Sequence, residues 1–174
     1  MADAAAIKKD AELVVDVCMS VEEGDVVTII TDDEHEAEAA AVARVCVERG
    51  AWPVVMNNEQ QVRRGRADTR FPMAPPRNLH EAMTSSDEVI IITNLEWANR
   101  FAHVNAVRET CEANGKIASV EPGMGAWNLT REDIEVATQR AKDAMRVLEG
   151  KTRVRCTAPN GTDFEVSIEG RQSL

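Results

Sequence analysis

The sequence predicts an α/β fold: an open, doubly wound, mainly parallel sheet with flanking helices, plus a C-terminal β-hairpin that begins or contacts a second domain. Three observations predict it. The runs "DVVTII", "WPVVM", "EVIIIT" and "KIASVE" are short and apolar on successive residues, the pattern of strands covered on both faces. Helical stretches separate them, and strands joined through helices of that length pair in parallel by crossover connections. The closing segment "TRVRCTAPNGTDFEVSIEG" abandons this grammar for period-two alternation around Asn160-Gly161, a strong hairpin signal.

Taken in order, Ala4 to Val21 places Ile7, Val14, Val15, Cys18 and Val21 near helical spacing with charges between them, so an amphipathic helix opens the chain. "EEGD" breaks it, and "DVVTII" (Asp25 to Ile30) is a buried first strand. Asp32 and Asp33 stand where an N-cap belongs, and "EHEAEAAAVARVCVERG" continues with acids first, alanines inside and Gly50 as the stop. After "WPVVM", the stretch "NNEQQVRRGRADTRFPMAPP" has no period, three prolines and a basic cluster. It reads as a long loop, and such loops in compact domains are functional or are linkers. "RNLHEAMTSSD" is a short helix and "EVIIIT" the third strand. "RFAHVNAVRETCEANG" puts Phe101, Val104, Val107 and Cys111 on one helical face before the fourth strand. Thr130 and Asp133 resemble a capping box opening "REDIEVATQRAKDAMRVLEG". In the final hairpin Val154, Cys156, Phe164, Val166 and Ile168 form one apolar face, which an isolated hairpin cannot bury alone.

Composition bounds the function. With 174 residues, 44% hydrophobic and 29% charged, the chain can build one sizeable core. Its net charge of -10 disfavours nucleic acid and anionic membrane surfaces as partners. Tyrosine is absent and Trp and Phe number three each, so stacking surfaces are scarce. No run approaches the roughly eighteen apolar residues of a membrane span, and "MADAAAIKKDAELVV" lacks a secretory apolar stretch; a cytoplasmic protein is the expectation. Cys18, Cys46, Cys111 and Cys156 lack paired metal-ligand spacing and read as buried free thiols of a reducing compartment.

Chemical motifs are few. "EPGMGAWN" has Gly123-x-Gly125 after a strand, but Asn128 occupies the third glycine position of a dinucleotide loop, so a structural turn is the better reading. "DDEHE" sets His35 among acids, yet the residue four beyond it is Ala39, not the second histidine of a zinc-protease helix; it reads as an acidic helix start. His80 and His103 stand alone as surface or core-edge residues. Arg63 to Arg66, "RRGR", could hold a carboxylate or phosphate but reads as solvated charge. Open α/β sheets bind ligands past the carboxyl ends of their strands, and the residues there are Thr31, Asp32, Asn94 and Glu121.

In order, "GDVVTI", "AHVNAVRETCEANGKIASVEPGM" and "VRCTAPNGTDFEVSIEGR" resemble the N-terminal part of the metallo-aminopeptidase family that includes aminopeptidase S and aminopeptidase T. The resemblance runs from Val21 to Arg171. It implies an α/β N-terminal domain followed by a larger metal-binding domain, with a "GTD" hairpin like Gly161-Thr162-Asp163 marking the passage between them. Family members are longer, and their paired metal ions are held by glutamate, histidine and aspartate side chains of the C-terminal domain. Those motif positions have no counterpart here, so no catalytic or metal-binding residue carries over. A divalent metal (zinc, cobalt, magnesium or iron) is implied for the complete protein and none for this chain. A related branch of the same architecture uses iron to open dihydroxypyridine rings.

These readings divide the chain into residues 1–150, the α/β domain, and 151–174, a hairpin starting an absent or separately encoded metal-binding domain. Three functions follow: the N-terminal domain or subunit of an aminopeptidase-like hydrolase, part of a ring-cleaving dioxygenase, or a free-standing module binding a small molecule. The first two imply a C-terminal catalytic domain or partner subunit, a homo- or hetero-oligomer, and a peptide or small-molecule substrate.

Overall fold

The β-branched run Val26–Thr31 forms strand β1 at the centre of a four-stranded sheet, because every one of its residues after Val26 is buried. A computed structural model of the chain describes residues 3–68, 74–93, 105–113, 115–121 and 123–170, with the backbone alone for residues 66 and 105. It divides into two compact units, Met1–Thr130 and Arg131–Leu174.

In the first unit helix α1 (Ala4–Leu13) runs into a π-helical turn, Val14–Met19, which ends at Ser20 with φ 53°. Then come β1, α2 (Glu36–Glu48), β2 (Trp52–Asn57), α3 (Glu59–Ala67), α4 (Arg77–Thr84), β3 (Glu88–Ile92), α5 (Asn105–Glu112) and β4 (Lys116–Ser119). The strands lie in the order β2-β1-β3-β4 and all pair in parallel, with Ile29 beside Val55 and Ile90, and Ile90 beside Ala118. The predicted parallel sheet is therefore present, with its first run inside.

Alternate residues of β1 and β3 feed two apolar layers. Val27, Ile29, Ile90 and Ile92 pack with Val15 beyond α1 and with Val42 and Val45 of α2. Ile30, Val89 and Ile91 pack on the other face with Val62 of α3, Leu79 and Met83 of α4 and Ala106 of α5. Each such side chain contributes about 1.5–3 kcal/mol on full burial. Gly50 closes α2 at φ +81°, a conformation that favours glycine, and a Cβ there would stand 2.9 Å from Glu23 Cγ and displace that exposed side chain.

Three expectations need correction. The stretch after β2 is not all loop: α3 occupies Glu59–Ala67. Its only buried large apolar side chain is Val62, so no period announces it. Local polar contacts start it instead: the Glu59 amide donates to Asn57 Oδ1 at 2.9 Å, and Arg63 Nε donates to Glu59 Oε1 at 2.5 Å. Nor is "WPVVM" covered on both faces. As an edge strand it leaves Trp52 70% exposed, with Val54 and Val55 also in solvent. The cysteines are not uniformly buried either: Cys46 is, Cys111 is partly so, and Cys18 and Cys156 are exposed. The cause at Cys156 is its place on a hairpin strand with every residue but Val154 exposed.

The second unit comprises α6 (Arg131–Leu148) and the antiparallel strands β5 (Arg153–Thr157) and β6 (Asp163–Ser167). The hairpin predicted around Asn160-Gly161 is present, with Val154 opposite Val166 and Cys156 opposite Phe164. Its turn is held by the Ala158 amide donating to the Thr162 carbonyl at 2.8 Å, with Gly161 at φ +96°. On the remaining residues Arg155 grips Asp163 through two bonds of 2.9 and 2.7 Å, which holds the Asp163 carboxyl below its usual range. No residue of α6 is buried. Among the described helices none is long and apolar enough to cross a membrane.

Candidate functional site

Because β2 lies on one side of β1 and β3 on the other, the chain reverses its winding direction there, and open sheets place ligand crevices at the strand ends beside such a switch. Asp32, the residue after β1, is 1% exposed in its side chain. Its Oδ1 accepts the Glu34 and His35 amides at 3.1 and 3.2 Å, and His35 Nδ1 at 2.5 Å. An Asp whose side chain returns to the amides two and three residues on forms the turn leading into a helix. Here that turn aims the following imidazole back onto the same carboxylate.

A carboxylate only accepts, so the hydrogen of the His35 contact sits on Nδ1. The His35 side chain is 13% exposed. His35 is thus more than part of an acidic helix start: it is oriented by a buried carboxylate at the end of the central strand.

A second network ties this corner to β2 and α3. Asn57 Nδ2 donates to Asp33 Oδ1 and Glu36 Oε1, each at 2.9 Å. The Asp33 amide donates to Glu59 Oε2 at 3.2 Å. Arg63 bridges Glu59 and Asp33, and these partners, Glu59 first, push its guanidinium pKa up. The first arginine of "RRGR" is therefore a brace within this network. Arg64 helps to line an open depression of about 330 Å³ with Gln61, Ala74 and Pro76.

The sequence-predicted residues are distributed unevenly. Thr31 is buried at the end of β1, its Oγ1 donating to the Asp32 carbonyl at 3.3 Å, and Asp32 follows it. Glu121 is exposed beyond β4, which β3 separates from β1. Asn94 lies outside the described residues, as do Phe101, His103 and Val104. Sequence reasoning missed the tie between Asp32 and His35, and also Glu59 and Arg63. The available signal was an Asp-x-x-His at the junction of a buried strand and a helix.

The glycine loop is explained by its partners. The Gly123 amide donates to Glu38 Oε1 at 3.0 Å and the Gly125 amide to Asp10 Oδ2 at 2.7 Å. Carboxylates already occupy the two amides that a phosphate would need. His80 Nε2 lies 2.6 Å from Glu109 Oε2, a half-exposed cross-link between α4 and α5.

For a metal, the donor set is insufficient: among the described residues no three His, Cys, Asp or Glu side chains converge so as to hold one. The described residues do not fit such a group.

No family model matches the chain, and no curated protein sequence matches it. The fold is similar to that of a solved 2,5-dihydroxypyridine dioxygenase from Pseudomonas putida KT2440, with TM-score 0.60 and 13% identity over 96% of this chain and 48% of that one. It is also similar to AmpT from Thermus thermophilus, with TM-score 0.57 and 18% identity over 94% of this chain and 53% of that one. The chain spans about half the length of each. At these identities the likeness is one of fold.

Proposed function

We propose that the chain is the N-terminal domain or subunit of a metal-dependent aminopeptidase-like hydrolase whose metal centre lies on a C-terminal domain or partner subunit. The observation carrying this reading is the match of nearly the whole chain to about half of AmpT. The order of sequence blocks resembling the aminopeptidase S and T family agrees with it. In this reading the chain's share of the work is the strand-end crevice around Thr31 and Asp32, which would meet the substrate, while a divalent metal (zinc, cobalt, magnesium or iron) would act outside it.

A second reading, part of an iron-dependent ring-cleaving dioxygenase, draws on the equally extensive match to the dihydroxypyridine enzyme. Purifying the tagged chain with its associates from the cells that make it separates the two. The hydrolase reading expects the complex, and not the chain alone, to release leucine from leucine p-nitroanilide with zinc, cobalt or magnesium. Oxygen uptake with iron and 2,5-dihydroxypyridine, without peptide hydrolysis, replaces it by the second reading. Absence of both activities in an intact complex overturns both.

A further inference from the structure

We infer that two copies of the chain associate through the second unit, by antiparallel pairing of their α6 helices about a two-fold axis at Ala141. The inference stands whether the complete protein is a hydrolase or a dioxygenase. It starts from an uncovered seam. Ile134, Ala137, Ala141, Met145 and Leu148 recur at helical spacing and so share one face of α6. Yet no residue of the helix is buried, and Met145 and Leu148 are 39% and 41% exposed. A helix draws most of its stability from packing such a face, so the seam calls for a cover.

Charge points to a second copy. Eight of the 20 Lys and Arg residues and eight of the 30 Asp and Glu residues fall within residues 131–174. The second unit is therefore neutral, and the net charge of -10 belongs to residues 1–130. Two identical acidic chains repel each other least where their neutral units meet.

Side-chain size fixes the direction. With Ala141 against its own copy, antiparallel helices set Ala137 opposite the partner's Met145 and Ile134 opposite the partner's Leu148. Met then faces Ala, large against small, and Ala141 lets the axes approach closely. A parallel pair in register stacks Met145 on Met145 and leaves Ala137 on Ala137. The flanks agree. Arg131 and Glu149 lie on the same side of the seam at opposite ends, and Glu149 still continues the helix, its amide donating to the Met145 carbonyl at 3.0 Å. Antiparallel pairing brings Arg131 to the partner's Glu149 twice; the ion pair Arg131 makes in its own helix, with Glu135, is an exposed one at 3.8 Å. One helix pair is small beside the roughly 800 Å² per partner of a stable dimer. The hairpin, which follows α6 at Arg153, adds the exposed Phe164 and Val166 to the same contact.

The test is sedimentation velocity of the full chain over a concentration series, with circular dichroism as the check on folding. The parent should sediment as a dimer. Ala141→Glu sets two carboxylates face to face at the axis and should weaken association by about tenfold or more, giving a folded monomer. Arg131→Glu and Glu149→Arg each oppose like charges at both ends and should weaken it severalfold, exposed pairs being individually weak. An equimolar mixture of those two variants should recover the parent's affinity, because opposite charges then meet at both ends. A parent that stays monomeric at its highest soluble concentration, an Ala141→Glu chain that dimerises like the parent, or a mixture no stronger than either variant alone overturns the pairing. Should Ala141→Glu fail to fold, the mixing experiment decides.

Discussion

Strands β1 and β3 and strands β5 and β6 all carry apolar side chains, yet their surroundings are opposite. Ile29 and Ile90 sit side by side with no exposure. Phe164 and Val166, on the corresponding face of the hairpin, are 53% and 45% exposed. The difference lies in the pattern. A run apolar on successive residues needs a layer on each face, and α1 and α2 on one side with α3, α4 and α5 on the other provide them. Alternation specifies only that one face is apolar, and does not specify what covers it.

The largest expected effect sharpens that contrast. Ile90→Ala should cost the first unit about 2–5 kcal/mol, because a cavity opens between α2 and the sheet in addition to the lost transfer energy. Val166→Ala, half in solvent and with no cavity to leave, should cost well under about 1 kcal/mol. Urea unfolding of both variants checks this. Comparable losses would mean that the hairpin face is packed in solution and that the contrast is misdrawn.

Gly115→Ala comes next. It sits just before β4, where a Cβ would lie 2.9 Å from Thr110 Cγ2 and 3.0 Å from the carbonyls of Ser86 and Thr110. The two backbone atoms cannot swing aside, so overpacking of about 1–3 kcal/mol follows. Gly161→Ala in the hairpin turn meets no atom within 4 Å and is strained only by its φ of +96°, costing about 1 kcal/mol. A milder result for Gly115 than for Gly161 would reverse the ranking of the two regions.

A smaller effect concerns acid in the same sheet. Glu88 opens β3 almost fully buried, with Lys116 Nζ donating to its Oε1 at 3.1 Å and Oε2 unpartnered. Burial pushes its pKa above 4.5, the Asp25 carboxylate adds to the rise, and Lys116 opposes it. A carboxyl raised on folding favours the protonated native state, so its stabilising contribution is complete below pH 4.5 and is lost as pH climbs through the raised value. Glu88→Gln should therefore be more stable than the parent at neutral pH, with the gain disappearing below pH 4.5. Thermal melts across that range decide it; a variant less stable at pH about 7 would mean that the Lys116 pair outweighs desolvation.

Legibility followed the same physics. β1 and β3 were readable because burial on both faces leaves few positions for polar residues: Thr28, whose hydroxyl meets Ser86 Oγ at 2.8 Å, Thr31 at the end of β1 and Glu88 at the start of β3. The hairpin was readable from Asn160-Gly161. What stayed hidden depends on spatial order. "WPVVM" looks like an interior strand, and only the sheet order makes it an edge. Helix α3 is held by Asn57, Glu59 and Arg63 and has no apolar stripe. At the site, the strand-end rule located Thr31 and Asp32, but the return of His35 onto Asp32 is a property of the turn and leaves no periodic trace.

The last prediction takes the contrast to the hairpin itself. Val154, Cys156, Phe164 and Val166 pair across β5 and β6 on one face, and Ile168 continues it; an exposed apolar strip of this kind marks an interaction surface. In the proposed function its natural cover is the C-terminal domain or partner subunit. For the chain by itself, a second copy is the available substitute. Phe164→Asp with Ile168→Asp should lower the sedimentation coefficient toward that of a monomer. It should also leave amide exchange of Val27 to Ile30 and Val89 to Ile92 as slow as in the parent, since their apolar side chains pack with one another and with the first unit's own helices. If the double variant unfolds throughout without passing through a folded monomer, the hairpin is part of the sheet's own core, and the contrast between the two regions falls with it.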